Sequence, residues 1–497
     1  MITDELNALV REALQLLPTV EQEQAIATFS RFMTDRQEHA VMVMRGCAGT
    51  GKTTLAAAMV KALQLLGQQL VLLAPTGRAA KVFSLYAGHP ASTIHRRIYR
   101  QKSLEGGFAL GYNAEHDTLF IVDEASMVSN GRSVLSDDMG RNLLDDLISF
   151  VYNGRNCRLM LIGDHAQLPP VGETESPALQ SEVLRQYGLQ VYECRLHEVL
   201  RQSQDSGILW NATEVRSLMS DGRCELPKIR FKGFEDIRVV PGDELIESLA
   251  SSYSQVGLDE TLVITRSNKR ANIYNQGIRN SVLDREDELC TGDQLMIVKN
   301  NYYWSQESGV RRQESGDRSL ESGDRRQETG DRSQETDLSF IANGDRAVVR
   351  RVRNVHEQHG FRFAEVTMTF PDYDDYELTA TVLLDTLTSE SPSLTREQQQ
   401  QLFNKVLEDY ADIHIKSKRL EKVKEDRYYN ALQVKFAYAA TCHKAQGGQW
   451  AHVYVDQGYM TDDMLTADYI HWLYTAFTRA TQRLFLVNWP EKMKSEE

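Results

Sequence analysis

Three short clusters carry residue types that could act on a phosphoryl group. Gly46-Cys47-Ala48-Gly49-Thr50-Gly51-Lys52-Thr53 fits the pattern G-x-x-x-x-G-K-[ST], with Thr54 continuing into a helix. Glycines in such a loop let backbone N–H groups turn inward around phosphate oxygens at a helix N-terminus, where the dipole favours negative charge. Lys52 there neutralises the outer phosphates and the Thr53 hydroxyl ligates Mg²⁺. An apolar run then ends in Asp123-Glu124. A hard cation needs an anionic oxygen near the phosphates, which suits Asp123, and an attacking water needs a base, which suits Glu124. A third run ends in Gly163-Asp164-His165-Ala166-Gln167-Leu168-Pro169-Pro170, where Gln167 is placed to report the state of a γ-phosphate.

The elements that must hold these clusters alternate. Short apolar runs at 40–44, 70–74, 119–122, 158–162 and 262–265 are separated mostly by helix-length segments. That pattern implies an α/β fold with parallel sheets covered on both faces. All three clusters follow predicted strands, at the end where such sheets bind ligands. Two helices precede them, broken at Pro18.

The alternation breaks near Asn300. Residues 308–335 repeat every seven as SGVRRQE, SGDRSLE, SGDRRQE and TGDRSQE. No position of the heptad is consistently apolar and each unit carries a Gly, so there is no coiled-coil seam, and the stretch reads as a disordered loop. Residues 345–387 then alternate as β-strands do, and Thr395 with Gln398 fits a capping box before a helix whose apolar face runs from Leu402 to Ile413.

With 497 residues the chain exceeds a single core. It has no apolar run long enough for a membrane span, and an N-terminus with two early acids resembles neither a signal nor a transit peptide, so a cytoplasmic location without membrane association is expected. Six cysteines without a C-x-x-C pair exclude the usual zinc and redox spacings. The net charge of −14 argues against coating by nucleic acid, but residues 39–104 hold no acid and nine Lys or Arg, which makes a local basic groove. The basic cluster of 416–427 reads as a solvated helix face, and Tyr302-Tyr303-Trp304 as packing.

Together the clusters resemble superfamily 1 helicases of the RecD-like and Dda-like branch. Thr19-x-x-Gln22, the phosphate loop, Ala74-Pro75-Thr76-Gly77-Arg78, Ser92-Thr93-Ile94-His95, Asp123-Glu124 and Gly163-Asp164-x-x-Gln167 occur in the order of that family. Leu200-Arg201-Gln202, Thr265-Arg266-Ser267-Asn268, Thr441-Cys442-His443-Lys444-Ala445-Gln446-Gly447 and Tyr474-Thr475-Ala476-Phe477-Thr478-Arg479-Ala480 continue the match. The heptad repeat departs from it.

The resemblance implies two RecA-like P-loop NTPase lobes: an ATP-binding lobe of 1–95 and 118–255, and a second of 256–299 and 432–497. It implies a hairpin at 96–117 acting as a strand-separating pin, with Phe108 as its wedge or else as a packed hairpin aromatic, and an inserted 300–431 domain, an SH3-like barrel plus helix, carrying the repeat loop 305–338. ATP with Mg²⁺ would lie between the lobes, its adenine read by Gln22 and its γ-phosphate reached by Arg201 and Arg479. Single-stranded DNA would cross both lobes, held by Thr76, Arg78 and His95 on one and Thr441, His443 and Lys444 on the other, with little sequence preference. The implied activity is ATP-driven 5′ to 3′ movement and separation of forked duplex DNA, with no oligomer required and recombination or replication proteins as partners. An RNA helicase, or a motor subunit of a nuclease or recombination complex, is the alternative.

Overall fold

A computed structural model describes residues 2–103, 106–131, 142–199, 205–220, 225–301, 303–304, 341–461 and 464–495. The heptad repeat and Arg201 lie outside them. The chain forms two compact units, one of Met1–Arg100, Phe108–Asp284 and Tyr438–Glu497, the other of Gln101–Gly107 and Arg285–Ala437.

The first unit opens with helix Ile2–Leu14 and helix Val20–Thr34, the latter started by a capping box of Thr19 and Gln22. Strands β1 (Ala40–Gly46), β2 (Gln69–Ala74), β3 (Ala91–Thr93), β4 (Tyr99–Ser103), β5 (Gly106–Leu110), β6 (Thr118–Val122), β7 (Arg158–Gly163) and β8 (Gln190–Leu196) follow. Six of them make a parallel sheet in the order β3-β2-β6-β7-β1-β8, while β4 and β5 pair as a hairpin. Strand alternation divides the core. Ala40, Met42 and Met44 of β1 pack among the N-terminal helices on one face, whereas Val41 and Val43 join Leu144, Leu147 and Val151 on the other. Burial on both faces is why β1 is apolar from Ala40 to Met44 and β6 from Leu119 to Val122.

A second sheet in the same unit begins earlier than the sequence led us to expect. Strand β9 (Ile237–Val240) and helix Leu245–Val256 fall in the stretch assigned to the first lobe, yet β9 pairs in parallel with the last strand of the chain. Helix Gly207–Ser220 lies on this side too, its Asn211 bonding Arg230, whose neighbour Ile229 bridges to Lys494. Strand β10 (Thr261–Thr265) completes the part before the insertion.

The inserted unit is a closed barrel of β11 (Gln294–Ile297), β12 (Arg346–Gln358), β13 (Phe361–Phe370), β14 (Tyr376–Leu383) and β15 (Leu432–Phe436). Its limits correct the expected 300–431, because β11 and β15, which fall in the stretches assigned to the second lobe, pair with each other and close the cylinder. Helix Arg396–Asp409 starts at the Thr395 and Gln398 capping box and buries Leu402 and Val406 against Phe361, Phe363 and Val423. It stops before Ile413, the expected end of its apolar face. Trp304 is buried, donating its indole N–H to Asn430 O at 2.9 Å, and Asn301 and Ile341 exchange backbone hydrogen bonds of 2.8 and 2.7 Å.

The chain then returns to the first unit with β16 (Ala439–Thr441), β17 (Trp450–Asp456) and β18 (Ala480–Val487), giving the parallel order β16-β10-β17-β18-β9. Tyr454 of β17 stacks on Phe485 of β18 at 4.3 Å, its hydroxyl held by Ser248 and Ser252. Among the described residues no helix is long and apolar enough to cross a membrane.

Candidate active site

The phosphate loop joins β1 to helix Lys52–Leu65. Its last residue, Gly51, caps the helix at φ +77°, a left-handed conformation that a side chain resists. The first helical turn, with Thr53 and Thr54, contains no acid. A helix start with free N–H groups and no carboxylate is an anion seat. Lys52 Nζ donates to Cys47 O at 2.8 Å, and the Thr50 hydroxyl donates to the same oxygen at 2.8 Å. Gln22 is buried against this loop. Its amide nitrogen donates to Thr50 O at 3.1 Å while its amide oxygen accepts from Thr19 N–H at 3.1 Å.

Strand β6 delivers Asp123 and Glu124. Burial first, and the Glu124 carboxylate second, push Asp123 up to about 7. Asp123 also accepts the Glu124 N–H at 2.9 Å, and Glu124 takes φ +51°, a conformation costing about 1 kcal/mol for a residue with a side chain. A buried carboxylate beside a second carboxylate, with Lys52 among the charges acting on it, is the oxygen-donor chemistry that a divalent cation such as Mg²⁺ takes.

Strand β7 delivers Asp164, fully buried, whose two oxygens accept from Ala166 N–H at 3.0 Å and from the Tyr474 hydroxyl at 2.6 Å. Gln167 is buried as well, and its amide oxygen has no hydrogen-bond partner among the described residues. Cys47 is buried beside Asp164, and burial followed by that carboxylate pushes its thiol up.

The second sheet reaches these loops through helix Ala467–Phe477. The Tyr474 hydroxyl accepts the Ala48 N–H at 2.8 Å while donating to Asp164, so one oxygen joins the phosphate loop to the end of β7. Leu168 N–H donates to the Thr475 hydroxyl at 2.8 Å, His471 Nδ1 lies 2.9 Å from Ala166 O, and Gln446 donates to Leu168 O at 2.6 Å. Arg479 is buried and its guanidinium donates to Thr475 O, Gly448 O and the Thr478 hydroxyl while standing 3.9 Å from Glu124. Lys52, Asp123, Glu124 and Arg479 thus converge on one locus.

Tyr474, Thr475, His471 and Gln446 received no individual role from the sequence. The readable signal was polar residues at 471, 474, 475, 478 and 479, a spacing of three and four that sets one face of an otherwise apolar helix.

The residues expected to hold nucleic acid fall at strand ends. Thr76, after β2, caps helix Gly77–Ala87 by accepting the Ala79 N–H at 3.3 Å. Gly447 of the second sheet approaches so closely that a Cβ there would sit 3.0 Å from the Thr76 hydroxyl. His95 and Thr441 are half-buried and His443 is exposed, the last beside Lys444 in helix Cys442–Ala445. The Arg78 guanidinium pairs with Glu260 at 3.1 Å, donates to Gln449 O and lies 4.6 Å over Trp450, contacts that brace the two sheets at this strand end. In the hairpin, Gly106 and Gly107 lie in β5, and the side chain of Phe108 lies outside the described residues.

Comparison with known proteins agrees with this arrangement. An AAA domain model matches residues 19–223, and a UvrD-like helicase C-terminal domain model matches residues 436–487. The ATP-dependent DNA helicase dda of Enterobacteria phage T4 is 26% identical over 288 residues, 56% of this chain and 60% of its own length. The ATP-dependent RecD2 DNA helicase of Deinococcus radiodurans is 37% identical over 139 residues, 27% of this chain and 16% of its own. Over these regions the chain resembles ATP-dependent DNA helicases of the RecD-like and Dda-like kind. It spans about three-fifths of the phage relative and a sixth of the bacterial one. Among solved structures, the Pif1 helicase of Candida albicans is 16% identical, with 97% of each chain covered and a TM-score of 0.45. The phosphate loop and the Asp-Glu pair lie within the first matched model and Arg479 within the second.

Proposed function

We propose that this chain is an ATP-dependent DNA helicase and translocase that moves 5′ to 3′ along single-stranded DNA and separates forked duplexes. The observation that carries the reading is the approach of Arg479, from the second sheet, to Glu124 at the end of β6 in the first.

ATP lies between the sheets. Backbone N–H groups of Gly49, Thr50, Gly51, Lys52 and Thr53 surround its phosphates, with Gly46, Ala48 and Thr54 shaping the loop, and Lys52 leaves the Cys47 carbonyl to neutralise the outer oxygens. Thr53 and Asp123 would hold Mg²⁺, which would supply charge neutralisation at the transferring phosphoryl group. Glu124 orients the attacking water and accepts its proton. Arg479 and Arg201 stabilise the charge that grows on the equatorial oxygens, and Gln167 senses the γ-phosphate. Because Arg479 crosses from one sheet to the other, hydrolysis removes what it grips and relaxes the closure. Gln22 contacts adenine from its place under the loop.

Single-stranded DNA follows the strand ends carrying Thr76 and His95, then Thr441, His443 and Lys444, as contacts to phosphate and sugar. Phe108, in the hairpin, is the wedge.

The test is unwinding of forked duplexes with a single 5′ or 3′ tail, with Lys52→Ala as control. The 5′-tailed fork is unwound and the variant is inactive. Unwinding of the 3′-tailed fork alone overturns the polarity, and ATPase stimulated by RNA but not DNA overturns the substrate.

A further inference from the structure

The C-terminal edge of the first sheet holds a second group of side chains that phosphate chemistry leaves unused. Strands β7, β1 and β8 are neighbours, and their register sets Arg45 against Gly163 and Gly46 against Leu196. The residues released next therefore emerge in a row: Asp164 and His165 after β7, Cys47 after β1, His197 after β8. The Cys47 sulfur, an Asp164 oxygen and a His165 ring nitrogen all lie within 4.8 Å of one another. Cys47 and Asp164 are 1% and 0% exposed, whereas His165 stands at the open side with its ring 6.4 Å from that of His197.

Thiolate, imidazole and carboxylate on one point are the donors of a borderline-soft divalent cation. Zn²⁺ accepts all three in a four-coordinate shell with bonds of about 2.0–2.3 Å, so the trio needs to contract by about 1 Å. Mg²⁺ prefers oxygen donors alone and has its own place at Thr53 and Asp123. We propose that Cys47, Asp164 and His165, completed by His197, form a zinc-class cation site whose occupancy arrests the nucleotide cycle.

The route to arrest is geometric. Asp164 also accepts the Tyr474 hydroxyl, which in turn accepts the Ala48 N–H. A cation on Asp164 and Cys47 ties the phosphate loop to the end of β7 and draws on the carboxylate that anchors Tyr474. Coordination deprotonates the Cys47 thiol, and its proton passes to solvent. The arrest rests on the ATPase reading above; the binding does not.

The full-length chain is titrated with Co²⁺ as a spectroscopic stand-in and with Zn²⁺ by calorimetry. One equivalent of Co²⁺ gives a thiolate-to-metal charge-transfer band that Zn²⁺ abolishes and Cys47→Ser lacks, although that variant keeps the other five cysteines. His165→Asn, on the exposed side, weakens Zn²⁺ binding by about 100-fold or more. With Mg²⁺ in excess, Zn²⁺ inhibits ATP hydrolysis by the parent chain, a chelator restores it, and His165→Asn keeps its zinc-free rate without inhibition. A band that persists in Cys47→Ser, or an unchanged Zn²⁺ affinity in His165→Asn, overturns the site. Correct binding without inhibition overturns the arrest, and a chain that hydrolyses no ATP at all still has its site decided by the cobalt band.

Discussion

The Arg479 guanidinium, fixed in the second sheet by three backbone and hydroxyl oxygens, stands 3.9 Å from the Glu124 carboxylate of the first. Each guanidinium nitrogen has its own oxygen, which a lysine cannot reproduce. Arg479→Ala should lower kcat for DNA-stimulated ATP hydrolysis by about 10³-fold, and Arg479→Lys should not rescue it. Steady-state ATPase beside a nucleotide-binding titration checks this. A rate within about tenfold of the parent would remove Arg479 from the reaction.

Asp123 makes a prediction about pH. Its carboxyl is raised from 3.8 to about 7 by burial and by Glu124, so the folded chain holds that proton more tightly than the unfolded one. Stability is therefore highest at low pH for this group and is lost as pH rises from about 4 through about 7. Asp123→Asn should abolish hydrolysis yet raise Tm by about 2–5 °C at pH 8 without nucleotide or Mg²⁺, with no gain at pH 4. Thermal melts across pH, in chelator, are the measurement.

Tyr474→Phe removes one hydroxyl and strands two partners, the half-buried Ala48 N–H and the buried Asp164 Oδ2. The expected loss is about 1–3 kcal/mol in urea unfolding. Because the same oxygen joins phosphate loop and motor helix, stimulation of ATPase by DNA should fall more than the basal rate. Equal falls would make Tyr474 a packing residue only.

Gln22 serves two structural partners through opposite ends of one amide. Gln22→Ala should lower stability by about 1–2 kcal/mol without any nucleotide. Gln22→Glu keeps the acceptor for Thr19 N–H and loses the donor to Thr50, so it should fall between the two. Denaturation curves of all three chains in nucleotide-free buffer decide the order.

How much of this was legible depended on whether the signal was local. The phosphate loop is announced by glycines between an apolar strand and a helix, and the Thr395 capping box by two residues three apart; both stand as read. The start of the second sheet had no such mark. Strand β9 is four residues with an exposed Arg238 in it, and its identity comes from pairing with β18 more than two hundred positions later. Likewise β11 and β15 look like ordinary α/β strands, and only closure of the barrel assigns them. Arg78 sits in a basic, acid-free stretch that invites a phosphate, while its partners Glu260 and Trp450 come from distant sequence.

The clasp between Asn301 and Ile341 has a consequence for how this chain can change. Thirty-nine positions separate two residues that are hydrogen-bonded neighbours, so whatever is spliced there leaves and re-enters the barrel through a single doorway. For a flexible segment between fixed ends in general, added length carries only a small entropic penalty. The same doorway is a natural port for grafting a reporter or an affinity module onto the motor.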